Sequence, residues 1–360
     1  MSRPATSTPQ GDTGEQAPPD SPLTTKEGWR RHVEHESRPP KLLTASERAA
    51  LPARERVRED DRRREYHADL PLVNTPTIRK VISTARLLVQ LNRRQVSARR
   101  GVILSGASGT GKTTALTNLG RAHELATRKR HPHDRARLPV VYVTVPPAAT
   151  PKMLATEFAR FFGLAFPARA THTDIVDAVC ATAAHVHVGL VLVDELHNLN
   201  LGSRSGAEAS DQLKYFAERL PATFAYAGID IESQGLFAGT RGRQIAGRFV
   251  VIPAAPFSYA TTGDKESWRG LVGTLESTLR LHEHAPGTLT AMSDYLFHRT
   301  GGMIGSLSQL IRGAAVLAIE EGSEAITEEL LEIVPIDFAA EQSEQLTAPA
   351  KATRRRRPAA

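Results

Sequence analysis

Eight residues, Gly106-Ala-Ser-Gly-Thr-Gly-Lys-Thr113, constrain this chain more than any other stretch. They complete the pattern G-x-x-x-x-G-K-[ST]. The short apolar run Gly101–Ser105 reads as a strand before it, and Lys112–Thr127 reads as a helix after it. Glycines at such a turn let successive backbone N–H groups converge on phosphate oxygens with no Cβ in the way. The helix N-terminus adds about half a positive charge to the same point. Gly106, Ala107, Ser108, Gly109, Thr110, Gly111, Lys112, Thr113 and Thr114 are therefore predicted to cradle ATP. Lys112 is expected to reach the β- and γ-phosphates, and the Thr113 hydroxyl to ligate Mg2+. A glycine-rich turn with a surface lysine is the competing reading, and it does not call for a strand and a helix on its two sides.

About 80 residues further on, Leu190-Val-Leu-Val-Asp194-Glu195 is a continuous apolar run ending in two acids, as a buried parallel strand would be. Ligands sit at the carboxyl ends of strands in open α/β sheets. Asp194 is expected to hold Mg2+, directly or through water, and Glu195 to act as general base on the attacking water. A solvated acid at a strand end is the bland alternative for Glu195.

Strands alternate with helices across this region. Leu138–Val145, Thr223–Ala227 and Phe249–Pro253 are strand-like; Met153–Gly163, Thr173–Val188 and Gly206–Leu220 are helix-like. Five strands with helices between them imply an α/β fold, a parallel sheet covered on both faces. After residue 260 the strand signals stop, and Trp268–Leu281, Thr288–Arg299, Ser306–Glu321 and Thr327–Val334 read as four helices. The expected division is a largely disordered or charged helical segment over 1–68, an ATPase domain over 69–259, a helical lid over 260–335 and a disordered basic tail over 336–360. Residues 1–41 are rich in Pro, Ser, Thr and charge and are expected to stay disordered. Residues 44–66 mix seven Arg with six acids, which reads as a solvated helix or as a docking arm for a neighbour.

Net charge is +7, but Lys351 and Arg354–Arg357 supply five positive charges, and without residues 351–360 it falls to +2. A basic partner-binding face does not follow from charge alone. The single cysteine, Cys180, excludes an intramolecular disulfide and reads as a core thiol within a helix. No apolar run reaches the roughly 18 residues of a membrane span, so no membrane partner and a cytoplasmic location are expected.

The pairing of the phosphate loop with the acidic strand resembles the P-loop ATPases of the AAA+ superfamily. That resemblance implies a five-stranded parallel sheet with helices on both faces and a small helical lid. It also implies a further strand between the two motif strands, here Thr223–Ala227, with a polar sensor at its tip. The usual Asn or Thr is absent, and Asp230 is the nearest polar candidate, though equally a turn residue. The lid's sensor arginine has no counterpart in Gly301-Gly-Met-Ile-Gly-Ser306; Arg312 lies further along. An arginine before the last strand reaches a neighbour's γ-phosphate in such proteins. Arg248 fits best and Arg243 second, against the reading that Arg241, Arg243 and Arg248 form a solvated helix face.

More narrowly, Val73-Asn-Thr-Pro-Thr77, Ser105–Thr114, Asp194-Glu-Leu-His-Asn-Leu199, Arg243–Phe249 and Thr300–Leu310 resemble the TniB family, related to TnsC and more distantly to MuB. The resemblance covers about residues 70–335. His197-Asn198 is its most distinctive part, and both residues also read as caps or turn residues. The family implies ATP-dependent assembly of a homo-oligomer on duplex DNA, recruitment or stimulation of a transposase protein, and disassembly on hydrolysis. DNA contacts would fall in Asn200–Gly206, with Arg204, and at Lys214; the Arg tetrad near the C-terminus is a candidate tether. The competing function is a regulatory AAA+ switch with a protein partner and little turnover. An origin-recognition-type loader is disfavoured because no winged-helix module follows the lid.

Overall fold

Five short apolar runs become strands: β1 (Gly101–Ser105), β2 (Val140–Thr144), β3 (Leu190–Asp194), β4 (Thr223–Gly228) and β5 (Phe249–Pro253). In this computed structural model the described residues are 21–69, 71, 73–95, 97–199, 204–233 and 246–337. The sheet order is β2-β3-β4-β1-β5, parallel throughout, with Gly101 in register with Phe249 and Leu190 with Thr223. Strands β1, β3 and β4 are buried at every position, which is why their sequences run apolar instead of alternating. β4 lies between β1 and β3, as the superfamily resemblance requires. The α/β fold with helices on both faces and a helical lid is therefore confirmed.

The helices on the sheet are α4 (Pro76–Asn92), α5 (Lys112–Arg130), α6 (Pro151–Phe162), α7 (His172–His185) and α8 (Arg204–Arg219), preceded in the chain by α1 (Lys26–Glu34), α2 (Ala45–Ala50) and α3 (Ala53–Ala68). Their starts are written in the sequence. Thr75 and Thr150 cap α4 and α6 just before Pro76 and Pro151, and Thr171 with Asp174 closes a capping box on α7. Cys180 is buried on α7, and burial pushes its thiol up.

The lid comprises α9 (Thr262–Ser277), α10 (Thr288–Ala291), α11 (Ser293–Thr300), α12 (Ile304–Glu320) and α13 (Glu328–Ile333). The expected helix over 288–299 is two helices, broken at Met292 with φ −88° and ψ 13°. The lid has its own core around Trp268, Leu296, Leu310 and Ile311, all fully buried, and Trp268 donates to the Ser293 carbonyl at 2.9 Å. Among the described residues no single helix is long and apolar enough to cross a membrane.

Two expectations about the N-terminus need correction. Residues 26–34 are not disordered: they form α1, capped by Thr25, and bury Trp29 and Val33 against the ATPase core. Composition concealed this because one tryptophan carries the docking. The Trp29 ring packs where a Cβ on Gly120 of α5 would lie 2.5 Å away, and its Nε1 donates to Glu124 at 2.6 Å. A mid-helix glycine costs about 1 kcal/mol, and here it leaves room for that ring. Residues 1–20 and the basic tail 338–360 lie outside the described residues.

The 44–66 segment is solvated on one side only: α3 exposes residues 53–58 but buries Glu59, Arg63, Tyr66 and His67. α3 packs on the lid of its own chain, and Arg63 is completely buried there. Its guanidinium donates to Glu324 at 2.6 and 2.8 Å, to Asp60 at 2.5 Å, and lies 2.9 Å from Glu59. Alongside it, the His67 Nδ1 donates to the Arg63 carbonyl at 2.7 Å and Nε2 accepts the Arg280 N–H at 3.0 Å. The docking arm exists, but its target is the chain's own lid.

Candidate nucleotide-binding site

The loop between β1 and α5 holds the shape its glycines permit. Gly109 and Gly111 have φ of 76° and 82°, in the left-handed region that side chains disfavour. A Cβ on Gly106 would fall 1.9 Å from the Ala254 carbonyl oxygen at the end of β5. Thr110 Oγ1 and Lys112 Nζ both donate to the Ala107 carbonyl, at 2.9 and 2.6 Å, folding the loop over the start of α5. Thr113 and Thr114 are exposed in the first turn of that helix.

Lys112 is pulled in two directions. Burial lowers its pKa, while Asp194, Glu195 and Asp230 act against that shift. Asp194 is buried at the end of β3; its Oδ1 accepts the Glu195 N–H at 2.8 Å and its Oδ2 accepts the Tyr142 hydroxyl at 3.0 Å. Burial, and next the charge of Asp194, push the Tyr142 phenol well up, so it stays a donor. Tyr142 in turn stacks on Trp29, ring centroids 6.0 Å apart and 11° from parallel. This link from α1 to the acidic strand has no local signal, because its parts lie on three separate elements.

The donor set fits Mg2+. A hydroxyl at Thr113 and a carboxylate at Asp194 are hard oxygen donors, and Mg2+ takes one or two protein oxygens while phosphates and waters complete its shell. Among the described residues no group of three or more His, Cys, Asp or Glu is arranged to hold a metal by itself.

Glu195 adopts a left-handed backbone, φ 56° and ψ 36°, and leads into a single 3-10 turn, Leu196–Asn198. Leu196 and Leu199 are buried on either side of this turn. The Asn198 side chain donates to the Val145 carbonyl at 2.8 Å, pinning the turn to the end of β2. Asn198 is thus a turn residue, whereas His197 faces Glu195 with Nε2 3.2 Å from Oε2.

At the tip of β4 stands Gly228, with no polar side chain, followed by Asp230 at φ 42°. The Ile231 N–H donates to Ser105 Oγ at 2.9 Å, which ties this turn to the end of β1. In the lid, Gly305 at the start of α12 donates its N–H to the Gly109 carbonyl at 3.1 Å, so backbone meets the loop where the superfamily has an arginine. Arg312 is far from the loop in function: it reaches the carbonyls of His67 and Ala68 at the end of α3.

Arg248 lies at the other end of the sheet. Its carbonyl accepts the Gly101 N–H at 3.0 Å, at the start of β1, and its guanidinium meets Glu218 at 3.3 Å. The phosphate loop follows the far end of β1, about 16 Å away at roughly 3.3 Å per residue. The structure therefore does not bring Arg248 together with Lys112, Asp194 and Glu195 of its own chain. Arg241 and Arg243 lie outside the described residues, as do 200–203 of the expected DNA loop; of Arg204 only the backbone is described. Lys214 lies on α8 and, with Arg248, borders a small apolar cavity that includes Leu199 and Phe249.

A family model described as bacterial TniB protein matches residues 64–259. The Aeropyrum pernix ORC2 protein, solved as ADPNP–ADP complexes, superposes with a TM-score of 0.54 at 18% identity, covering 73% of this chain and 67% of that one. The Aeropyrum pernix ORC1 protein, solved in complex with DNA, gives 0.52 at 16% identity, covering 77% of this chain and 66% of that one. At such identities the likeness is one of fold. No curated protein sequence matches.

Proposed function

This chain belongs to the bacterial TniB family, and from that premise we propose that it is an ATP-hydrolysing helper of DNA transposition. In this reading ATP-bound copies assemble on duplex DNA, recruit or activate a transposase, and disassemble on hydrolysis. The observation that carries it is the phosphate loop between β1 and α5, with Lys112 Nζ folded onto the Ala107 carbonyl at 2.6 Å, in one parallel sheet with β3, whose end carries Asp194 and Glu195.

Each residue's part follows from its position. Backbone N–H groups of 107–113 bind the phosphates, and Lys112 exchanges the Ala107 carbonyl for phosphate oxygens. The Thr113 hydroxyl and Asp194 would hold Mg2+, which would supply positive charge against the β- and γ-phosphates. Tyr142 orients Asp194, and Glu195 accepts a proton from the attacking water. Arg248, too distant from its own loop, serves a neighbouring copy and completes that copy's site. A cytoplasmic setting belongs to the same proposal.

Two variants test the nucleotide part. Lys112→Ala is expected to weaken ATP binding measured by calorimetry, and Glu195→Gln to bind ATP yet turn it over slowly. Unchanged affinity in Lys112→Ala would refute the phosphate-loop assignment. For DNA, the ATP form is expected to bind duplex more tightly than the ADP form, with affinity falling steeply as salt rises. The apolar tip of β4 favours a second reading, a regulatory switch with little turnover. Equal duplex binding with ATP and ADP would support that reading instead.

A further inference from the structure

The tip of β4 is Gly228, and a Cβ there would stand 3.1 Å from the His197 backbone nitrogen and 2.4 Å from Ile231 Cδ1. Its bareness is therefore needed to let the Leu196–Asn198 turn lie directly on the strand. His197 uses that closeness. The Ile229 N–H points to its Nδ1 at 3.4 Å. An amide N–H can only donate, so Nδ1 is the acceptor, and in the neutral ring the proton sits on Nε2. Nε2 is the atom 3.2 Å from Glu195 Oε2. The imidazole thus runs from the backbone of the 228–231 turn to one oxygen of Glu195, leaving Oε1 available. The same turn carries Asp230, whose charge acts on Lys112, and is bonded to Ser105 at the end of β1.

We propose that His197 is the positioning residue for Glu195, doing from the β3 side what a polar side chain at the tip of β4 would otherwise do. It transmits the position of the 228–231 turn, beside Lys112, to the carboxylate that accepts the proton from water. Glu195 gains from such a partner because its side chain is 43% exposed and, among the described residues, the polar side chain found against its carboxylate is His197. His197 is only 20% exposed, and its ring is held at both nitrogens, by the Ile229 N–H and by Glu195. The proposal rests on Glu195 being the general base.

The test compares His197→Ala, His197→Gln and His197→Asn in the full chain, by single-turnover ATP hydrolysis and by ATP affinity. A base misplaced by about 1 Å loses on the order of 100-fold in rate. His197→Ala is expected to slow hydrolysis by about 10- to 100-fold, with ATP affinity unchanged within about twofold. A glutamine amide reaches the place of Nε2, whereas an asparagine amide reaches only that of Nδ1. His197→Gln should therefore restore more of the rate than His197→Asn. In a Glu195→Gln background, His197→Ala should add no further loss. Better rescue by Asn, a rate loss explained by weaker ATP binding, or an unchanged rate in His197→Ala each overturns the proposal. If Glu195→Gln hydrolyses like the wild type, the base assignment itself fails and the proposal falls with it. A dead Glu195→Gln beside a fully active His197→Ala removes His197 alone.

Discussion

Replacing Arg63 by Ala should loosen the lid from α3 at a cost that the surrounding charges set. The guanidinium has no accessible surface, and its bidentate partner Glu324 keeps only 5% of its side chain exposed. Truncating one partner of such a pair leaves a buried carboxylate without its countercharge, which costs about 3–5 kcal/mol. Glu324 retains some compensation, since it also accepts the His282 N–H at 3.2 Å and lies 3.7 Å from Arg48. The expected loss is therefore near the lower end, about 3 kcal/mol. The chain contains two tryptophans, Trp29 in the ATPase core and Trp268 in the lid core. In a Trp29→Phe background, urea denaturation followed by fluorescence reports the lid through Trp268 alone. The Arg63→Ala transition should move to lower urea by an amount matching that loss. Replacing both partners together, Arg63→Met with Glu324→Met, should recover part of it, because the stranded Glu324 charge is gone while Glu59 and Asp60 keep Arg48 at 3.8 and 2.9 Å. A shift worth less than about 1 kcal/mol in Arg63→Ala would refute the reasoning, since surface ion pairs fall in that range.

Three further expectations follow from particular contacts. Arg248→Ala should bind ATP normally yet lose turnover by up to about 1,000-fold. Mixing it with Lys112→Ala should restore activity above the sum of the two, and no restoration in demonstrably mixed assemblies would exclude action on a neighbour. Trp29→Ala should cost about 3–5 kcal/mol as a large core truncation, whereas Trp29→Phe, losing chiefly the bond to Glu124, should cost about 1–3 kcal/mol; thermal unfolding separates them. Burial holds His67 and His123 at about 4, below the usual 6.5. Above pH 6.5 both states are neutral at these positions; as pH falls from 6.5 to 4 the unfolded chain takes up protons that the folded one refuses. Stability should therefore drop across that window by up to about 3 kcal/mol per histidine, and His123→Leu should flatten the slope of denaturation midpoint against pH.

The parts of this protein that were legible in its sequence are those whose signals are local. The phosphate loop needs glycines at fixed spacing, β3 needs four apolar residues before its acids, and Thr75-Pro76 announces α4. What escaped is tertiary. Trp29 meets Glu124 across 95 residues, and Arg63 meets Glu324 across 261. A charged stretch like α3 is identical in composition whether water or a lid neutralises it. Similarly, the role of His197 could not be read from its place after the acids, because it depends on the Ile229 amide, which every sequence possesses.

The separation between Arg63 and Glu324 also bears on how the chain is made. At about 5–20 residues per second, α3 emerges from the ribosome roughly 10–50 s before the helix pair it will rest on. An apolar strap would spend that interval exposed and prone to stick to other nascent chains. α3 instead carries seven arginines' worth of charge in and just before it, balanced by carboxylates three and four residues earlier, such as Asp60 and Glu59 beside Arg63. It can wait, hydrated and self-paired, until Glu324 arrives and the water is expelled. The burial of Arg63 and Glu59 against the lid is then a matter of timing as much as of stability.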